Sequence, residues 1–69
     1  MSKWAEIRCD HNNGEGFWVV DAWKTSDDNE EGEVIAVIDE TSKNVYYLEP
    51  LARTDQYAQE VIKEAIATL

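Results

Sequence analysis

The 69-residue chain predicts an α+β fold: a four-stranded antiparallel β-meander with one C-terminal α-helix packed on one face, in the order ββββα. Three observations carry this. Helical periodicity occurs in one segment only, residues 54–69, where Ala58, Val61, Ile62, Ala65, Ile66 and Leu69 recur at the spacing of a single apolar stripe. The runs upstream alternate with period two or are rich in β-branched and aromatic residues. The breaks between those runs are short enough for hairpins, and strands adjacent in sequence usually pair.

Each element has its own warrant. Residues 4–9 read as a first strand, with Ala5, Ile7 and Cys9 on one row and Trp4, Glu6 and Arg8 on the other. The stretch from Asp10 to Gly16 is rich in Asn and Gly, which tolerate positive φ, and reads as a loop. Residues 17–25 form the second strand. Its rows are Trp18, Val20 and Ala22 against Phe17, Val19, Asp21 and Trp23. An unpaired Asp21 in a closed core would cost several kcal/mol, so the first row is assigned to the helix side. An acidic loop follows, then a third strand over residues 33–39. Val34, Ala36 and Ile38 form one row there, and Ile35 and Val37 the other. Asp39 can accept bonds from the next turn, and Asn44 suits a left-handed position in it. Residues 45–48 make a short fourth strand, which Pro50 ends because it has no N–H to donate. Thr54, or else Asp55, caps the helix, and Glu60 can pair with Lys63 on its wet face.

Residues 1–69 make one domain. A chain of this size buries only about 60% of the surface its unfolded form exposes, so it gains from any supplementary contact. A single cysteine, Cys9, excludes an internal disulfide and fits a reducing, cytoplasmic setting. The N-terminus lacks a signal-like apolar run, and no apolar segment is long enough to span a bilayer. The net charge of −9 argues against nucleic acid and anionic membranes as partners.

Signals for chemistry are weak. Asp27, Asn29, Glu31 and Gly32 resemble the first half of a calcium loop, but Ile38 stands where a bidentate Glu belongs. Cys9, Asp10 and His11 juxtapose a thiol, a carboxylate and an imidazole, with no identifiable oxyanion donor. No catalytic residue, cofactor or metal ligand is assigned, and the chain is read as a non-enzyme. Trp4, Trp18 and Trp23 could form a stacking platform, although packing explains them equally well.

One helix shields one side of a sheet, yet apolar side chains fall on both. Trp4, Phe17, Val19, Trp23, Ile35 and Val37, with Tyr46 or Tyr47, are expected on the uncovered face. Such a face implies an acidic protein-interaction domain that self-associates as a homodimer, or one that contacts another protein. The alternatives are an acidic decoy for a basic, nucleic-acid-binding partner, and a small ligand- or calcium-binding module.

Overall fold

Asparagine and glycine close the first hairpin tightly enough to lengthen the strand before it. The computed structural model describes residues 2–26 and 30–69. In it, β1 (Glu6–Asn12), β2 (Phe17–Trp23), β3 (Glu33–Asp39) and β4 (Val45–Tyr47) pair in sequence order as one antiparallel sheet. The Asn12 and Asn13 side-chain carbonyls accept the Gly14 and Glu15 amides, both at 2.8 Å. Gly14 and Gly16 take φ of 82° and 93°, where a Cβ would be strained. The turn therefore needs few residues, and β1 continues to Asn12 rather than ending at Cys9.

Side chains also set the other strand ends. The Glu30 carboxylate accepts the Lys24 and Thr25 amides at 3.2 and 2.8 Å and the Thr25 hydroxyl, which draws those donors away from the ladder and ends β2 at Trp23. Asp39 accepts the Thr41 and Ser42 amides at 2.8 and 3.0 Å. The bonds from Ser42 and Thr41 hold its carboxyl below the ordinary carboxylate range. The left-handed residue of this turn is Lys43, at φ 66°, rather than Asn44. β4 stops at Tyr47 because the Leu48 and Glu49 amides converge on the Ile35 carbonyl at 2.9 and 3.0 Å. Pro50 then opens a 3-10 turn, Pro50–Arg53, capped by the Glu49 carboxylate.

The helix, α1 (Gln56–Thr68), is capped by Asp55, the second of the two expected caps. One oxygen of Asp55 accepts the Ala58 amide at 3.1 Å. The other accepts the Ser2 hydroxyl at 2.9 Å and the Lys3 amide at 3.1 Å. A single carboxylate thus starts the helix and anchors the N-terminal segment. Burial pushes its pKa up, but hydrogen bonds from Ala58, Lys3, Ser2 and Tyr57 outweigh that and hold it below the ordinary range. A depressed folded value means stability that is present above the unfolded pKa and lost as pH falls through the folded one. Asp55→Ala should therefore cost about 1–2 kcal/mol at neutral pH. In thermal melts its deficit relative to wild type should shrink as the pH drops below about 4.

The core lies between α1 and the sheet. Val20, Ala22, Ala36 and Ile38 point toward Ala58 and Ile62, with Trp18, Val45, Tyr47 and Ile66 half-buried around them. The row Trp18, Val20 and Ala22 thus faces the helix, as the position of Asp21 implies. The Tyr57 hydroxyl accepts the Ile7 amide at 3.2 Å, which occupies an outward-pointing donor on the β1 edge. Gln59 Nε2 donates to the Tyr47 hydroxyl at 2.9 Å and the Ala52 carbonyl at 2.8 Å, which ties β4 and the 3-10 turn to the helix. Among the described residues no ion pair joins Glu60 to Lys63.

Two residues expected on the uncovered face belong to this core. Trp4, 3% exposed, precedes the regular strand, so the alternation of β1 does not extend to it. Its indole N–H donates to Glu33 at 2.8 Å. Ile35 is fully buried because β3 carries a β-bulge. The register runs Val20↔Ala36 and then Asp21↔Val34, which leaves Ile35 as the extra residue. Ile35 and Ala36 therefore both turn inward, and Val34 moves to the other side.

Candidate functional site

The uncovered face is organised by the register. Across it, His11, Val19, Val37 and Tyr46 form one continuous row over all four strands. Arg8, Asp21 and Val34 form the next, and Glu6 with Trp23 the one after. The charged members sit on β1, at Asp21 and at the end of β3, where Asp39 pairs with Phe17. Between them Val34, Val37 and Tyr46 make the part over β3 and β4 apolar.

Of the six residues predicted here, Phe17, Val19, Trp23 and Val37 are on this face, and Trp4 and Ile35 are not. Val19 is 7% exposed, covered by its neighbours on both flanking strands, so it supports the face from below. Phe17 is half-buried and meets Tyr46 edge to face, with ring centroids 6.1 Å apart and planes at 74°. The Trp23 indole lies against Gly32, where an added Cβ would come within 2.6 Å of the ring. The Arg8 guanidinium sits 5.0 Å from the centre of Trp23 and pairs with Glu6 at 2.6 Å. Gly32 and Arg8 thus both pack against the indole.

Val34, 42% exposed, and Tyr46, 50% exposed, complete the surface. Sequence alternation put Val34 on the helix side, which the bulge reverses. The unbroken apolar run Val34–Ile38 was the available signal, since a half-covered strand with regular pleating should alternate.

The face also holds a polar cluster. His11 Nδ1 lies 3.3 Å from Asp10 Oδ1 and 3.5 Å from Asp21 Oδ2. A second bulge creates it: Cys9 and Asp10 together oppose Val20, since the register passes from Arg8↔Asp21 to His11↔Val19. Partial burial pushes the Asp21 carboxyl up, His11 pulls it down, and Asp10 raises it again. The same bulge separates Cys9 from His11. Cys9 packs against the core, while His11 faces outward beside Asp21. Burial, then Asp10 and Asp21, raise the Cys9 thiol pKa, which is the reverse of what a nucleophile requires.

The other candidates disperse. Trp4 is in the core, Trp18 borders it, and Trp23 is on the outer face, so the three indoles form no common platform. Asp27 and Asn29 of the calcium half-loop lie outside the described residues. A groove of ≈ 530 Å³ runs between β4 and α1, with Val45, Tyr47, Ile62 and Ile66 among its walls. Among the described residues no helix is long and apolar enough to cross a membrane. No protein-family model, curated protein or solved structure matched the chain.

Proposed function

We propose that this chain is a non-enzymatic protein-interaction domain that self-associates as a homodimer through the sheet face opposite α1, in a reducing cytoplasmic setting. The observation that supports this most is the apolar surface over β3 and β4. Val34 and Tyr46 are strongly exposed there beside Phe17, Val37 and Trp23, on the side no helix covers. An interface with an apolar centre and a charged margin has this composition. A two-fold pairing would stack the apolar half of one copy on that of the other, about 10 Å apart, and leave Glu6, Arg8 and His11 at the rim. The burial gained supplements a core that is small by itself.

Light scattering coupled to size-exclusion chromatography tests this. At micromolar concentration the mass should be twice the 7.9 kDa of the chain. Each copy carries −9, so added salt should tighten the dimer by screening repulsion. An acidic decoy bound to a basic partner would respond in the opposite direction, loosening as salt rises. A monomeric mass at all salt concentrations would rule out self-association.

A further inference from the structure

The cluster on the β1 margin has the geometry of a cation site, which the sequence did not suggest. We propose that Asp10, His11 and Asp21 form a binding site for a divalent transition-metal ion such as zinc or cobalt(II), with Asp10 Oδ1, His11 Nδ1 and Asp21 Oδ2 as the three protein ligands. One ligand atom from each residue lies within 4.8 Å of the other two. The two measured separations from Nδ1, 3.3 and 3.5 Å, match the edge of a tetrahedron with bonds of about 2.0–2.2 Å, which is about 3.3–3.6 Å. The 3.3 Å contact to Asp10 is a long hydrogen bond, and with Asp21 beside it two carboxylates converge on a single ring nitrogen, which has one proton or one lone pair to offer. A cation at the centre would satisfy all three groups together.

Several features bear on the choice of ion. A nitrogen donor beside two carboxylates favours zinc, cobalt or nickel over calcium and magnesium, which prefer oxygen alone. Among the described residues three protein ligands converge, which leaves positions in the shell for solvent. Asp21 is the sheltered member, with its side chain 17% exposed, and Asp10 and His11 are open to solvent. Arg8, opposite Asp21 in the ladder, turns its guanidinium to Glu6 and Trp23. The bulge at Cys9 and Asp10 lets two adjacent residues present donors to the same point, which a regular strand would forbid. All three ligands come from one copy, so the site does not depend on self-association.

Titration of untagged protein with cobalt(II) chloride, followed by visible absorption, and with zinc chloride, followed by calorimetry, tests this. One ion per chain should bind. His11→Gln and Asp21→Asn should each weaken binding by at least about tenfold. Glu64→Gln, which removes an exposed helix charge, should leave it unchanged. Both ligand substitutions lie on the outer face, and melting curves check that the fold survives them. The ring signals of His11 should shift on addition of zinc. The proposal is overturned if no ion binds at millimolar metal, or if the two ligand variants bind as well as wild type, which would place the ion elsewhere.

Discussion

Ile35→Ala should leave much of the protein unfolded at room temperature. The side chain is fully buried against the helix-facing core, and truncating a buried Ile to Ala costs about 2–5 kcal/mol. A core in a domain this small supplies only about 3–5 kcal/mol of net stability. The loss thus approaches the whole. Val37→Ala, two residues on, should cost far less, because Val37 is half-exposed on the opposite face. The contrast is diagnostic of the bulge. With regular pleating Ile35 and Val37 would share a face, and the two substitutions would cost similar amounts. Urea denaturation of the two variants measures the difference directly. Equal, small losses would mean that Ile35 does not turn inward.

Tyr46→Glu should convert the dimer to a monomer without unfolding it. Tyr46 is half-exposed on an edge strand, and its ring meets Phe17 edge to face, so the fold gives up little when it is replaced. Across a two-fold interface the introduced carboxylate would be buried near its symmetry mate, in a protein already strongly negative. Burying an unpaired charge costs several kcal/mol, enough to weaken association by two orders of magnitude or more. Trp23→Glu should act in the same direction. It should also loosen the packing on Gly32 and Arg8, so its melting temperature should fall further than that of Tyr46→Glu. Leu51→Glu is the control. Leu51 is exposed too, but it belongs to the 3-10 turn rather than the sheet, so its substitution should leave the mass unchanged.

The elements themselves were legible because each rests on local chemistry. The stripe from Ala58 to Ile66 defines a helix whatever surrounds it, and Asp21 in the middle of an apolar strand shows which row faces water. What was not legible was register. Two bulges, at Cys9–Asp10 and at Ile35, each insert one residue and reverse the side on which the following residues lie. A bulge is fixed by pairing with a neighbouring strand, so period-two counting along one strand cannot find it. That is why Ile35 and Val34 exchanged faces, and why Asp10 and His11 converge beside Asp21 while Cys9 does not. Trp4 was misplaced for a different reason. It lies outside the regular strand, and Asp55, more than fifty residues away, holds Ser2 and Lys3 beside it. The strand ends depended on similar side-chain captures, by Glu30 and by the asparagines of the first turn, which no propensity encodes.

Self-association through the outer sheet face is tested most directly by amide NMR spectra recorded across a dilution series. Phe17, Trp23, Val34, Val37 and Tyr46 should shift together as the protein is diluted from millimolar to low micromolar concentration. Ile62, Ile66 and Ala58 on the helix should hold still. Shifts confined to α1 and the groove beside β4, or a spectrum that does not change with concentration, would contradict the account.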